Sequence, residues 1–339
     1  VELRNKTPLV AGWTVVMDKA AAEHLVLCVR GTWSLDEKGR LALVKDPPPL
    51  LPMHVHVGEP GLSSIRYEAD IGPVKPATDC ALVGSAVAPK GGKAGRVTVA
   101  FRVGPVARRA VVTGERKRLF WFLRWWDSPV KPFTRVPLTW ELAAGGTDTT
   151  PANEKRHSRN ERNPYGRGFR ARGSKLPVAG ALLPQIITPG GCMPFGRAKE
   201  PAGFGLTGNE FLHRRPYAGT YDEAWVDEQC PLLPEDFDTR FHCCAAPGLS
   251  TEEPLVGGEP VEVSGCTRNG RLAFQLPQVR LDVSADLGDG TERIPMAMQT
   301  VTVDTDEMQL RVLWRGELNV HGRLPRLKRM DVAAKGIES

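Results

Sequence analysis

The chain has 339 residues, enough for two domains or one large one, with globular proportions of 41% hydrophobic and 25% charged residues. Its 35 glycines and 29 prolines argue against a protein of long helices, because both residues are poor in helix interiors. A formal charge of +6 and a pI near 9.0 permit an acidic partner without demanding one. No run approaches the ~20 apolar residues of a membrane span, and no charged-then-apolar leader opens the chain. Seven cysteines, odd in number and irregularly spaced, do not make a disulfide scaffold. We therefore expect a reduced cytoplasmic protein without membrane association.

Residues 1–145 read as β. His24–Trp33 is a β-rich run with Leu25, Leu27 and Val29 on one face. Arg96–Val103 alternates with Val97, Val99, Phe101 and Val103 inward and Thr98 and Arg102 outward, the pattern of a half-buried strand. Ala110–Thr113 and Val136–Glu141 continue it, with Gly104-Pro105 and Gly114 as breaks.

The stretch 145–260 holds 16 glycines and 13 prolines and almost no periodicity. Residues 146–259 are thus expected to form a loop-rich insert packed on the β scaffold. Phe204, Tyr217, Tyr221, Trp225, Phe237 and Phe241 give it material to pack, and its one helix lies near Tyr221–Glu228. Asn153–Lys175 is expected to be its mobile tip. Lys155, Arg156, Arg159, Arg162, Arg167, Arg170, Arg172 and Lys175 oppose only Glu154 and Glu161 there, a surplus equal to the whole net charge.

Residues 260–320 are β again: Pro260–Ser264, Arg271–Leu276 and Val279–Val283, with Asn269-Gly270 as a hairpin signal. Met308–Arg315 alternates with Met308, Leu310, Val312 and Trp314 on one face. Residues 321–339 carry Arg323, Arg326, Lys328 and Arg329 and read as a frayed basic tail. The expected fold is mainly β: a β-sandwich or open-barrel scaffold from both termini, sharing one core, with a long loop-rich insert.

Motifs that could carry chemistry have simpler structural readings. Gly203-Phe-Gly-Leu-Thr-Gly208 fits G-x-G-x-x-G, but Pro201 precedes it and Pro216 interrupts the segment after it, so turn glycines are favoured over a dinucleotide site. His54-Val55-His56 and His242-Cys243-Cys244 are metal half-sites without a matching second pair. The acids Asp222, Glu223, Asp227, Glu228, Glu235, Asp236 and Asp238 could do acid–base work, although acids in such loops usually cap turns. No G-x-S-x-G, H-E-x-x-H or phosphate-loop pattern occurs. We expect no enzyme, no cofactor and no metal. The basic stretch 153–175, with Tyr165 and Phe169 among its arginines, leaves nucleic-acid binding as the alternative.

An ordered series of landmarks then stands out: Ser63–Asp70, Lys75–Asp79, Asn163–Phe169, Gly203–Gly205, Arg215–Trp225, Leu233–Phe241 and Gly257–Glu259. Asn5–Pro8 and Leu313–Arg315 extend it to both ends. In these motifs the chain resembles the bacterial family catalogued as domain of unknown function 2169, found in type VI secretion gene clusters. It departs from the family pattern at Glu141–Ala144, at His242-Cys243-Cys244 and in the placing of Phe211. The resemblance implies a non-enzymatic adaptor or chaperone that binds a PAAR-like effector and helps mount it on the VgrG spike, itself a candidate second contact. It supplies no catalytic residues. Tyr, Trp and Arg dominate interface energetics. Arg214, Arg215, Tyr217, Tyr221 and Trp225, with Arg167 and Arg170, are therefore the candidate partner-binding residues. Replacing Arg214 and Arg215 by glutamate is expected to weaken partner binding and leave the fold intact.

Overall fold

A computed structural model describes residues 1–171, 179–190 and 200–337. The largest sheet runs in the order Val10–Met17, Glu23–Leu35, Gln309–Asn319, Ala297–Asp304, Asp79–Val83, with Leu41–Leu43 added to the end of Glu23–Leu35. A second sheet orders Ile186–Ile187, Val106–Thr113, Arg96–Val103, Pro260–Ser264 and Arg271–Gln275. The third orders Glu2–Asn5, Arg329–Lys335, Arg280–Asp286 and Thr291–Ile294. The fold is mainly β, and none of these three sheets closes into a barrel. Each sheet contains strands from both ends of the chain, and one apolar core joins all three.

Local chemistry explains the best-formed pieces. Val97, Val99, Phe101 and Val103 are buried while Thr98 and Arg102 face solvent, so this strand has the period of two that its sequence displays. The two residues Gly104-Pro105 return it directly into Val106–Thr113. The single α-helix among the described residues, Glu223–Glu228, is capped by Asp222, whose carboxylate accepts from the Trp225 N–H.

Several expectations need correction. Only Arg135–Pro137 overlaps the run 136–141 as strand; Trp140–Leu142 forms a 3-10 turn that tucks the indole into the core. The hairpin after Pro260–Ser264 does form, but through a longer loop in which Gly265 and Gly270, not Asn269, take positive φ. Met308 sits in the preceding turn with φ 48 rather than in the strand. The basic tail is not frayed over 329–335: Met330 and Val332 are buried there, and the strand pairs on both sides. Residues 153–171 are not a free tip either. Asn163 is fully buried, its amide donates to the Trp140 and Ala144 carbonyls (2.9 and 3.0 Å), and Arg167–Gly168 pairs with Ala144–Gly145. A Cβ on Gly145 would meet the Asn163 carbonyl oxygen at 2.2 Å, so the close approach requires glycine. Arg172 and Lys175 lie outside the described residues.

Alternation within the largest sheet prepares the site. Leu25, Leu27, Val29, Leu310, Val312, Trp314, Val301 and Val303 point into the common core. Their neighbours in sequence therefore point the other way, among them Arg30, Arg315, Thr300 and Asp304, joined by Asp79. Loops 44–78 and 243–251 cover that second face, so this sheet buries an apolar side and an ionic side at once.

Candidate functional site

The ionic side centres on Lys75. Its ammonium donates to Glu68 Oε2 (2.5 Å), Asp79 Oδ2 (2.6 Å) and Thr300 Oγ1 (3.0 Å), with Cys244 Sγ at 3.5 Å. Asp79 and Thr300 are direct partners on adjacent parallel strands, which places both beside the same cation. Arg315 completes the knot: Nη2 donates to Glu68 Oε1 (3.1 Å) and the Ala69 carbonyl (2.7 Å), Nε to the Asp70 carbonyl (3.0 Å), and Nη1 to the Pro73 carbonyl (2.9 Å). Asp79 also accepts from the Cys244 N–H (2.7 Å) and the Ser250 hydroxyl (2.5 Å), tying in the insert. Beside it, Arg30 pairs with Asp70 and Tyr67 donates to Asp304.

Burial alone would push the Glu68 carboxyl up, yet the Lys75 ammonium and the Arg315 guanidinium outweigh it and hold the group down at about 2. Burial would likewise discharge Lys75, but Asp79, Cys244 and Glu68 raise it well above the ordinary lysine value. Burial pushes the Cys244 thiol far up, with Glu68 adding to it. Glu68, Asp79 and Cys244 have the spacing of a metal site. The Lys75 ammonium already sits among them as the cation, so this donor set does not fit a metal ion unless Lys75 is displaced. A thiol held protonated and an ammonium held charged are both poor nucleophiles.

Above the knot lies an open groove of about 790 Å3. The Pro73–Pro76 segment forms part of its lining, so the knot anchors the groove by one of its own residues. One wall is the turn after Val10–Met17; the other is 233–242 of the insert. The walls are tied together, since Lys19 Nζ donates to the Glu235 carbonyl (2.5 Å) and Gln229 to the Lys19 carbonyl (2.7 Å). Asp18, Glu235, Asp236, Asp238 and Glu317 line the groove against Lys19 and the buried Lys75, making it acidic on a basic protein. Burial, with Arg214 nearby, pushes His242 down to about 4, so its imidazole is neutral at pH 7.

The motifs singled out in the sequence serve mainly structural ends. His54 Nδ1 pairs with the Ala69 N–H (3.0 Å), and His56 Nδ1 lies 3.0 Å from the Ser63 carbonyl oxygen. Gly203 is required by packing, because a Cβ there would meet the Trp140 ring at 2.4 Å. Asp236 accepts from the Thr220 N–H and hydroxyl, and Asp238 caps the turn Thr239–His242. The acids 222, 236 and 238 thus cap local structure.

Of the partner-binding candidates, Tyr221 is exposed and stacks edge-on with Trp225 at 4.7 Å. Trp225 is half-buried, and its indole N–H donates to the Leu232 carbonyl (2.9 Å). Tyr217 lies under Arg240 at 4.4 Å. Arg215 is at the surface, paired with Glu161 at 2.6 Å. Arg167 is half-buried and donates to the Glu141 carbonyl (2.9 Å), while Arg170 stands 3.7 Å from the buried Asp148.

Arg214 is the exception among surface expectations. It is only 5% exposed, donates to the Phe241 and Thr207 carbonyls, and lies over the Phe241 ring at 5.0 Å. Arg214→Glu would bury a carboxylate facing two carbonyl oxygens and is expected to destabilise by about 3 kcal/mol or more. Arg215→Glu should stay within about 1 kcal/mol. Urea melts of the two single variants check this; equal midpoints would contradict the inward placing of Arg214.

Glu68, Lys75, Asp79 and Arg315 all fall within the sequence landmarks, yet their spacing suggests no shared chemistry. Their separation in sequence hides a cluster that only the sheet assembles. Arg118–Asp127 escapes sequence reasoning too, although Leu119, Phe120, Trp121, Phe122, Leu123 and Trp126 are exposed there. Its only signal is a run of apolar residues without alternation.

A family model described as an uncharacterized protein conserved in bacteria (DUF2169) matches residues 20–315. The chain belongs to this family. No curated protein and no solved structure matches it. The DUF2169 match spans every residue of the ionic knot and the insert wall of the groove. No helix among the described residues is long and apolar enough to cross a membrane.

Proposed function

We propose that this DUF2169 protein is a non-enzymatic adaptor of the cytoplasm that binds a PAAR-like type VI secretion effector and helps load it onto the VgrG spike. The observation that carries the reading is the acidic groove, whose lining is anchored by the buried knot while the knot's own reactive groups neutralise one another. A cleft held in shape before its ligand arrives loses less entropy on binding. Its charge suits a basic or amphipathic segment of the partner. The family resemblance suggests the class of partner, and the groove is the surface we assign to it. The alternative, nucleic-acid binding through 153–175, is weakened by Arg167, which turns to a backbone carbonyl, and by Arg170, which stands beside a buried aspartate.

Reversing groove charge tests this without touching the knot. Glu235→Lys with Glu317→Lys should weaken binding of a PAAR-like effector about tenfold in titration calorimetry, with the melting temperature unchanged. Equal affinity in a folded double variant would remove the groove from the interface.

A further inference from the structure

The hairpin Arg118–Trp121/Arg124–Asp127 is joined to the body at its base, where the Arg118 N–H donates to the Ala181 carbonyl (2.9 Å) and the Leu183 N–H to the Arg116 carbonyl (3.0 Å). Leu119 and Trp126 are opposed on one face, next to Trp121; Phe120 and Trp125 are opposed on the other, their rings 4.8 Å apart. Both faces are therefore apolar. The turn is Phe122-Leu123, with φ 45 and 59, and these side chains are 84% and 89% exposed. Two consecutive positive φ values are the geometry that Asn-Gly adopts without strain, and bulky side chains adopt it at a cost. Strain together with exposed apolar surface points to a role outside folding.

Charge and shape indicate what receives the tip. Residues 115–131 carry Arg116, Lys117, Arg118, Arg124 and Lys131 against Glu115 and Asp127, a surplus of three positive charges around an apolar finger. A flat protein surface meets one side of such a finger, whereas a lipid interface closes around all of it. Tryptophan favours the headgroup level, and the cytoplasmic leaflet is anionic. Strands of four residues span roughly 13 Å, enough for the roughly 5–10 Å depth of interfacial insertion. Arg124, beside the turn, can extend its guanidinium back to the headgroups.

We propose that the hairpin 118–127 is a membrane-surface anchor that inserts Trp121, Phe122 and Leu123 into the interface of an anionic bilayer. The expectation of no membrane association rests on the lack of a spanning run, and an interfacial finger needs none. The proposal is independent of the adaptor reading.

The test is flotation of the full chain with vesicles of phosphatidylcholine alone or with about 30% phosphatidylserine. Wild type should float with the anionic vesicles, bind the neutral ones about tenfold more weakly, and release as salt rises. Phe122→Asn with Leu123→Gly should lose binding about tenfold or more while melting at the same or a higher temperature, because the new pair suits the turn. No flotation of wild type, or undiminished flotation of the folded variant, overturns the proposal. So does the case in which wild type ignores vesicles but holds the PAAR-like protein through a contact the variant loses, which assigns the finger to a protein groove.

Discussion

Lys75→Met lowers stability by about 3–5 kcal/mol, because it leaves the Glu68 and Asp79 carboxylates buried without their shared cation. Arg315 still faces Glu68, so the larger share of the loss falls on Asp79. Adding Asp79→Asn to Lys75→Met should restore part of the stability, since the remaining buried charge then has Arg315 as its partner. Urea unfolding of the three proteins reads this as shifts of midpoint. A loss below about 1 kcal/mol for Lys75→Met would mean that the knot does not hold the scaffold.

The same knot sets a pH dependence. Glu68 is held below its unfolded value of 4.5, at about 2. Its contribution is complete above 4.5 and is lost as pH falls from there toward 2. Lys75 is raised above its ordinary 10.5, so its contribution is complete below that value and declines only at higher pH. Asp70 works against Glu68: burial pushes it up despite Arg30, so protonating it in acid favours the native state. The pair Glu68–Lys75 contributes evenly from about pH 5 to about pH 10, but His242, held down at about 4, withdraws stability below its ordinary 6.5, and Cys244, pushed up by burial, withdraws it above its ordinary 9.0. The expected plateau therefore runs from about pH 6.5 to about pH 9, with an acid limb that Glu68→Gln makes shallower below about 4.5.

Trp140→Ala is the second large effect. The indole is 2% exposed, packs edge-on against Phe211 at 5.2 Å, lies over Gly203, and donates to the Leu206 carbonyl at 2.9 Å. It is the scaffold's peg for residues 203–211 of the insert. Truncation should cost about 3–5 kcal/mol and open that segment to limited proteolysis. Trp140→Phe keeps most of the packing, loses the hydrogen bond, and should cost about 1–2 kcal/mol. An unchanged proteolysis pattern in Trp140→Ala would contradict the peg.

How much is legible in the sequence depends on which faces meet water. Arg96–Val103 can be read because Thr98 and Arg102 are exposed against four buried apolar residues. Glu23–Leu35 is longer than the run His24–Trp33 suggests, and Arg30 in its middle looks like a solvent-facing residue. It is buried because loops carrying Pro48, Pro49 and Asp70 cover that side of the sheet. Arg329–Lys335 alternates Met330 and Val332 with polar residues, a signal masked by the basic residues before it. The hairpin 118–127 has neither glycine nor asparagine at its turn, so the usual mark of a tight hairpin is missing. For the site, the landmarks contain the right residues, but the convergence of 68, 75, 79 and 315 is a property of sheet order. Sequence spacing carries no trace of it. Arg214 misleads for the reverse reason: arginine is usually exposed, and this one satisfies two backbone carbonyls inside the insert.

The most direct measurement is the mass of the species formed when this chain is co-expressed with a PAAR-like type VI secretion effector, read by size-exclusion chromatography with light scattering. The adaptor account predicts a single peak whose mass is that of the partner plus 37.1 kDa, and a smaller share of material in that peak for Glu235→Lys/Glu317→Lys. Two separate peaks, with the PAAR-like protein soluble by itself, would contradict it.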